Sequence, residues 1–290
     1  MREWVIPFPF QKEEEVSFQL YEAGFHHFYI EEPIKQIQTE DGYGVEKVEE
    51  GTAQVHLFPE NDWSAEEIAA IVGVTVEDIK EKEWKEAQAA YENITLPSGW
   101  KVIYPPFPAK KGEKELLLDP QGAFGTGVHG TTQDSLDILM ELPLEIGRKA
   151  ADIGTGSGIL AIGAAVKGVQ VDAFDIQPVQ REVTHQAELN HVEERIIVKE
   201  QDVLSEDLET YNYDLIIINI GASVTKEWLQ SKRVFGKSTC PLYLVSGIVD
   251  WAKDGIITLF HDAGFKLCNS RQSEEWNTLL FTAGQGEDVT

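Results

Sequence analysis

A glycine-rich segment in the middle of the chain has the residue types and spacing of a ligand-binding turn. Residues 152–158 read Asp-Ile-Gly-Thr-Gly-Ser-Gly and lie between a predicted strand and a predicted helix. Backbone N–H groups can reach a ligand there, because Gly154, Gly156 and Gly158 have no side chains in the way. Residues 156–161 also satisfy the G-x-G-x-x-A dinucleotide fingerprint, so a nicotinamide cofactor stays among the alternatives, as does a packing role for the glycines.

Two carboxylates follow the next predicted strands. Asp175 ends a strand 17 residues after Gly158, where an acidic side chain can accept hydrogen bonds from both ribose hydroxyls of an adenosine-containing ligand. Asp202 follows the third strand and is a candidate partner for the adenine amino group, with a solvated turn as the alternative. The loop and Asp175 together predict an adenosine site more strongly than either does alone.

A polar amide and a histidine are the candidates for handling a second reactant. Asn219 ends the fourth predicted strand, at the edge where reacting groups of an open α/β sheet meet, and its amide is both donor and acceptor. A cap on the following helix is the alternative for Asn219. His129 has an ordinary pKa of about 6.5 and is a candidate general base. It is a weak candidate, because the sequence identifies no partner for its imidazole.

The elements that must position these residues alternate between strand and helix from residue 116 onward. Because the last two strands are joined by a few residues, they must be antiparallel if paired. This pattern predicts a doubly wound α/β domain with a seven-stranded, mostly parallel sheet and an antiparallel C-terminal strand. The predicted strands are 149–153, 169–175, 196–201, 214–220, 242–247, 265–271 and 277–283, and the helices include 158–167 and 178–190.

The first third of the chain predicts a smaller α+β domain. Apolar and aromatic runs occupy residues 16–20 and 25–30, and residues 52–58 alternate as a half-buried strand does. Ser64 and Glu67 form a capping-box pattern, and a charged amphipathic helix is predicted over residues 76–91. Proline and glycine are dense after residue 96. We therefore predict an N-terminal domain over 1–95, a linker over 96–115 and a ligand-binding domain over 116–290.

Charge and hydropathy exclude several classes of partner. The net charge is −26, and the first 95 residues contribute −15 of it. Such a surface would repel a phosphate backbone, so direct nucleic-acid binding is not expected. An acidic field attracts a basic protein partner, with solubility as the alternative explanation. No segment is apolar enough to predict a membrane span, no metal-ligand spacing surrounds the two cysteines, and we expect a cytoplasmic protein.

A long motif ahead of the glycine loop resembles a known family. Residues 118–132 read Leu-Asp-Pro-Gln-Gly-Ala-Phe-Gly-Thr-Gly-Val-His-Gly-Thr-Thr, and this stretch resembles a motif of the ribosomal protein L11 methyltransferase family (PrmA). The resemblance covers essentially all of residues 116–283, and it extends more weakly to residues before 116. The stretches that carry it are 152–161, 175–178, 219–220, 246–248 and 275–276.

The resemblance implies a class I methyltransferase fold and S-adenosyl-L-methionine as the cofactor. It places cofactor contacts at Thr132, Gly154, Asp175 and Asn219. It also implies that Phe124 and the loop of Gly125, Thr126 and Gly127 close over the site. The remaining predicted cofactor-binding residues are Asp152, Thr155, Gly156, Gly158, Ile176 and Asp202, and no metal is expected.

The resemblance further implies a reaction and a substrate. The family methylates lysine side chains and the N-terminal amine of L11, and the acidic first domain suits the recognition of a basic protein. Methyl transfer is an in-line displacement, so the site must align the amine and exclude water. A lysine has an ordinary pKa of about 10.4, and desolvation must favour its neutral form.

One departure from the family leaves the acceptor open. Residues 219–223 read Asn-Ile-Gly-Ala-Ser, where many relatives continue Asn-Ile with Leu-Ala, and Gly221 changes the wall beside the acceptor. The alternatives are a paralogous methyltransferase acting on a different protein or a small molecule, and a non-catalytic cofactor-binding regulator. A dehydrogenase ranks last, because the terminal hairpin and the 124–132 motif have no role in it.

Overall fold

The chain of 290 residues divides into two compact units. Unit 1 comprises Met1–Thr39 and Tyr43–Ala90, and unit 2 comprises Glu40–Gly42 and Tyr91–Thr290. The computed structural model describes residues 2–25, 28–48, 50–58, 63–83, 91–120, 125–206, 208, 210–230, 234–235 and 240–284.

Unit 1 is built on an antiparallel sheet with helices on one face. Its elements are β1 (Arg2–Pro9), α1 (Glu13–Glu22), β2 (Phe28–Glu31), β3 (Ile34–Thr39), β4 (Gly42–Lys47), β5 (Thr52–Leu57), α2 (Ala65–Val72) and β6 (Lys80–Glu83). Four strands pair in the order β2-β5-β1-β6, and β3 pairs with β4 separately. Alternate residues of β1, among them Trp4, Ile6 and Phe8, are buried in one core with Leu20 of α1 and Ile68 of α2.

The start of α2 confirms the predicted capping box. The Ser64 hydroxyl accepts the Glu67 N–H at 3.2 Å, and the Glu67 carboxylate accepts the Ser64 N–H at 2.9 Å. The strand predicted over 52–58 is confirmed as β5, whereas the apolar run at 16–20 lies in α1.

The helix predicted over residues 76–91 is wrong in its first half. Thr75 and Asp78 cap only a single 3-10 turn, Val76–Asp78, and Ile79 is already extended. Lys80–Glu83 then pairs with β1 as an edge strand. The alternating charges of β6 suit a solvated sheet edge, so tertiary pairing overrides the helical propensity of these residues. The second half, from residue 84 to 90, lies outside the described residues.

Unit 2 confirms the predicted α/β class. Its strands are β7 (Ile94–Thr95), β8 (Lys101–Ile103), β9 (Glu115–Leu117), β10 (Lys149–Ile153), β11 (Gln170–Asp175), β12 (Ile196–Glu200), β13 (Leu215–Ile218), β14 (Leu242–Val249), β15 (Phe265–Ser273) and β16 (Trp276–Ala283). Its helices are α3 (Gly130–Glu141), α4 (Ile159–Val166), α5 (Gln180–Asn190), α6 (Ala222–Gln230) and α7 (Asp250–Asp262). The main sheet has the order β12-β11-β10-β13-β14-β16-β15. The first five of these strands are parallel, and β16 is antiparallel to both neighbours, as predicted for the terminal hairpin.

Helices cover both faces of this sheet. All four residues of β13 are buried, with Leu215 and Ile217 in one core and Ile216 and Ile218 in the other. The first core is completed by α3, α4 and α5, and the second by α6 and α7. A strand covered on both sides is a continuous apolar run, which is why the sequence marks it so clearly. None of the helices in the described part of the chain has the length and apolar character that a bilayer crossing requires.

The segment predicted as a linker, 96–115, is part of unit 2. Its prolines and glycines break helices, but β8 lies within it and pairs with β7, just before the segment, and with β9, which begins at its last residue. Leu96 and Val102 are buried in the same core as α3 and α4. The domain boundaries that we gave from the sequence stay a prediction.

Candidate active site

A cavity of about 710 Å³ opens at the carboxyl ends of the central strands of unit 2. This is the edge at which open α/β sheets bind their ligands. We call the part lined by Gly154, Gly156, Asp175 and Asp202 the loop side of the cavity. The part lined by Asn219, Gly221, Gly247 and Trp276 is its amide side.

The glycine loop depends on backbone conformations that other residues rarely adopt. Gly154, Gly156 and Gly158 have φ angles of 69°, 54° and 84°. A Cβ on Gly154 would lie 1.9 Å from Cγ2 of Ile220, and one on Gly158 would lie 2.8 Å from a methyl carbon of Val183. The loop therefore runs close against its neighbours. Its N–H groups at Gly154, Thr155, Gly156 and Gly158 already donate to oxygens of the protein, and Gly154 and Gly156 line the cavity.

The buried carboxylate of Asp152 stabilises the glycine loop through hydrogen bonds. This carboxylate accepts hydrogen bonds from the Thr155 hydroxyl at 2.7 Å and from the Ala161 N–H at 3.1 Å. Desolvation raises the pKa of Asp152 to about 6, against the opposing effect of these two bonds. Asp152 and Thr155 thus act on the shape of the loop and are not among the residues lining the cavity.

The raised pKa of Asp152 predicts a pH-dependent stability. Since its ordinary pKa is 3.8, the unfolded chain releases this proton before the folded protein does, and stability falls as pH rises from about 3.8 to about 6. The variant Asp152→Asn has no proton to release at this position, so its stability should not fall with pH for this reason. As pH rises from 5 to 7, we expect the free energy of unfolding of the variant relative to that of wild type to increase by about 1 kcal/mol. This corresponds to about 2–4 °C in Tm. Thermal melts of both proteins at pH 5, 6 and 7 measure it, and a constant Tm difference would contradict it.

Two carboxylates on the loop side are oriented by backbone N–H groups. The Asp175 oxygens accept the N–H of Gly156 and of Gln177, each at 2.9 Å. Each oxygen keeps a lone-pair direction for a ligand. Asp202 accepts the Leu204 N–H at 3.0 Å, and this bond is the main reason that the pKa of Asp202 is lowered. Carboxylate acceptors held by backbone N–H groups are therefore fixed at two places along the cavity.

The amide side is organised by Asn219, one residue past the end of β13. Gly247, with φ of 72°, leaves the space that the Asn219 side chain occupies, because a Cβ there would lie 2.8 Å from Oδ1 of Asn219. Asp41, from the short segment of unit 2 at Glu40–Gly42, also lines the cavity. Its carboxylate accepts hydrogen bonds from the backbone N–H and the hydroxyl of Ser223.

His129 lines the cavity but is bonded in a way that does not suit a base. It caps α3, and its Nδ1 accepts the Thr131 N–H at 3.3 Å. Nδ1 also lies 2.7 Å from the Thr131 hydroxyl, so this nitrogen is engaged at the start of α3. We expect His129 to act as an aromatic wall of the cavity.

The structure places the predicted residues in three groups. The cavity is lined by Gly154, Gly156, Asp175, Ile176, Asp202, Asn219 and His129. Outside the lining are Gly125, Thr126, Gly127, Thr132, Asp152, Thr155 and Gly158. Phe124 lies outside the described residues.

The residues outside the lining have identifiable positions. Thr132 is buried in α3, and its Oγ1 has no hydrogen-bond partner within the described part of the chain. Gly125 accepts the Ser157 hydroxyl at 2.7 Å, and Thr126 accepts the Tyr104 hydroxyl at 2.6 Å, both through their carbonyl oxygens. Gly158 caps α4. The segment at 125–127 is thus tied to the glycine loop.

Sequence reasoning missed several lining residues. The apolar wall after β12 was not predicted, although the strand-end rule points to that position. Trp276 and Gly247 lay in stretches that carried the family resemblance but had no role assigned. The missed residues are Asp41, Thr131, Ile153, Phe174, Gln201, Val203, Leu204, Ile220, Val224, Gly247 and Trp276, whereas Gly221 lines the cavity as expected from the sequence.

The charge of the lining decides between ligand classes. Three aspartates line the cavity, and its described lining contains no lysine or arginine. A dinucleotide would place its diphosphate in this negative field without a basic side chain to balance it. A ligand with an adenosine portion and a positive charge fits the same lining. This observation opposes the dehydrogenase alternative.

Comparisons with known proteins agree with this geometry. Residues 3–283 match the family model described as ribosomal protein L11 methyltransferase (PrmA). A ribosomal protein L11 methyltransferase of Bacillus cereus (strain B4264) is 30% identical over 297 residues, covering 92% of this chain and 94% of that protein. One of Dictyoglomus turgidum is 34% identical over 226 residues, covering 72% and 69%. The crystal structure of a ribosomal protein L11 methylase from Lactobacillus delbrueckii subsp. bulgaricus is 25% identical with a TM-score of 0.56, covering 67% of this chain and 100% of that one.

Proposed function

The chain belongs to the ribosomal protein L11 methyltransferase family, and on that premise we propose that it methylates lysine and N-terminal amines of ribosomal protein L11 with S-adenosylmethionine as methyl donor. The observation that carries the proposal is the cavity of unit 2. A loop side suited to adenosine and an amide side suited to an amine share one space without a lysine or arginine in its described lining.

The loop side supplies the groups that would hold the cofactor. Gly154 and Gly156 of the glycine loop and the Asp175 carboxylate line the adenosine position, and Asp175 would accept both ribose hydroxyls. Asp202 and the apolar side chains of Val203 and Leu204 would surround the base. The orphaned hydroxyl of Thr132 is a candidate partner for the methionine portion. Ile176 would pack against the ribose from the end of β11.

The amide side supplies the groups that would prepare the acceptor. When bound, S-adenosylmethionine provides a methyl group on a positively charged sulfur, which leaves as a neutral thioether. Asn219 would accept an N–H of the incoming amine and thereby direct its lone pair along the line of displacement. Ile220 and Val224 exclude water, and this desolvation lowers the pKa of the amine. The proton released from the amine passes to solvent, so no general base is required.

Unit 1 is the part of the chain that we propose for protein recognition. Its acidic residues, concentrated in the first 95 positions, would attract a basic partner and repel nucleic acid. A ribosomal protein as substrate would place the activity in the cytoplasm.

Labelled methyl transfer tests the proposed function. Wild-type protein is incubated with labelled S-adenosylmethionine and unmethylated L11 of the same host, beside a total-protein extract. Label on L11 supports the proposal, label on another protein supports the paralogue, and cofactor binding without any transfer supports the regulator.

Asn219→Ala tests the role of the amide. The variant should have a kcat/KM about tenfold lower than wild type, because it loses one hydrogen bond to the reacting amine that is worth about 1.5 kcal/mol. Steady-state kinetics with L11 measure this, and Asn269→Ala on β15, outside the cavity, is the matched control. Gly247→Ala should produce a similar loss by displacing the same amide. Unchanged kinetics in both cavity variants would exclude Asn219 from the reaction.

A further inference from the structure

We propose that Trp276 binds the positively charged form of the acceptor amine through its indole face, and that this contact retains partly methylated amines for further transfer. The inference rests on the proposed function for the identity of the acceptor. It adds to that function a residue that selects for cations and raises the number of methyl groups added.

Trp276 occupies a fixed position on the amide side. It is the first residue of β16 and is paired with Val249 of β14 and Ser273 of β15. Its ring lies edge to face with that of His129, with centroids 5.5 Å apart and planes at 77°. Strand pairing on two sides fixes the backbone of Trp276, and its ring is held by His129 and by Gly42, where an added Cβ would lie 2.9 Å from Cη2 of the ring.

The surroundings of the ring favour a cation. Asp41 lines the cavity with Trp276, and no lysine or arginine is present in its described lining to compete for the indole face. An aromatic face attracts an ammonium most strongly where water is excluded, and much of this lining is apolar.

The same contact favours repeated methylation. Each transfer forms a C–N bond on the amine, breaks the C–S bond of the donor, and leaves an ammonium that must release one proton to solvent before the next transfer. Every added methyl group replaces an N–H that water would solvate, so the methylated ammonium leaves water for an aromatic face more readily. A product held at Trp276 while the cofactor is exchanged is positioned for another cycle, whereas a product that dissociates is not.

A binding measurement tests the inference without turnover. The probes are the acetylated amide of Nε-trimethyllysine and its neutral isostere, in which carbon replaces the quaternary nitrogen. Calorimetric titrations with S-adenosylhomocysteine present compare wild type, Trp276→Phe and Trp276→Leu. We expect wild type to prefer the cation about 3- to 30-fold, Trp276→Phe to keep part of this preference and Trp276→Leu to lose it.

The matched control is Trp251→Leu, a tryptophan of α7 in the same unit that does not line the cavity. It should keep the wild-type preference. Mass spectrometry of L11 should show Trp276→Leu shifting the products from multiply to singly methylated lysine, with cofactor affinity within about threefold of wild type. An equal preference in wild type and Trp276→Leu, or an unchanged product distribution, overturns the inference. A cation preference that depends on Trp276 in an enzyme that leaves L11 unlabelled supports the amine site and contradicts the L11 assignment.

Discussion

Replacing Asp175 with alanine is expected to weaken S-adenosylmethionine binding at least 100-fold. The variant loses two charge-assisted hydrogen bonds to the ribose, each worth about 1.5–3 kcal/mol. It also leaves the N–H groups of Gly156 and Gln177 without the acceptors they now have. The glycine loop would therefore lose one of its hydrogen bonds to the end of β11, in addition to the contacts with the ligand.

Equilibrium dialysis with labelled cofactor measures this effect directly. Asp254→Ala is the matched control, because Asp254 is an exposed carboxylate of α7 outside the cavity. Asp175→Asn separates two causes, since an amide oxygen can accept one hydrogen bond but carries no charge. Cofactor affinity within threefold of wild type in Asp175→Ala would remove Asp175 from the site and with it the interpretation of the loop side as an adenosine cradle.

Gly154→Ala is expected to lower cofactor affinity by more than about 100-fold and to destabilise unit 2 by about 3 kcal/mol. A left-handed alanine costs about 1–2 kcal/mol, and overpacking costs about 1–3 kcal/mol more. The new Cβ would lie 1.9 Å from the Ile220 methyl group, so either the loop or the end of β13 must move. A displacement of about 1 Å in a positioning group is enough for a 100-fold effect.

Two further variants separate the steric cause from the backbone cause. Gly147 has φ of 85° and no atom within 4 Å of the position that a Cβ would take, so Gly147→Ala carries the strain of the left-handed conformation without a clash. It should cost about 1–2 kcal/mol and leave cofactor binding intact. Adding Ile220→Ala to Gly154→Ala should restore part of the lost affinity, as measured by dialysis and thermal melts. No recovery in the double variant would show that the contact with Ile220 is not the cause.

The fold of unit 2 could be predicted because its central strands, such as β10 and β13, are buried on both faces. The run Leu215–Ile218 has no polar residue, and β10 begins and ends at the residues that the pattern indicated. The shortness of the β15–β16 connection then settled the direction of the last strand. Residues 80–83 of unit 1 behaved differently, because a charged edge strand has neither a buried face nor an apolar run to mark it.

The site could be predicted where the chain is locally constrained. Gly154 and Asp175 are found by their distance from strand ends, which is a property of the sequence alone. Trp276 and Thr131 come near the cavity only through the pairing of the terminal hairpin and the packing of α3 beside it. Thr131 and Trp276 are more than 140 residues apart in the sequence. No spacing rule connects them, and only the folded chain brings them together.

The main sheet reverses its order at β10, and the two sides of the cavity fall on either side of that reversal. Residues that would hold the cofactor come from β10, β11 and β12, whereas those that would meet the acceptor come mainly from β13, β14 and β16. Changes in the second group can therefore accumulate while the first stays intact. Chimaeras joined between β12 and β13 offer a practical route to new acceptors, because each half would bring its own set of contacts.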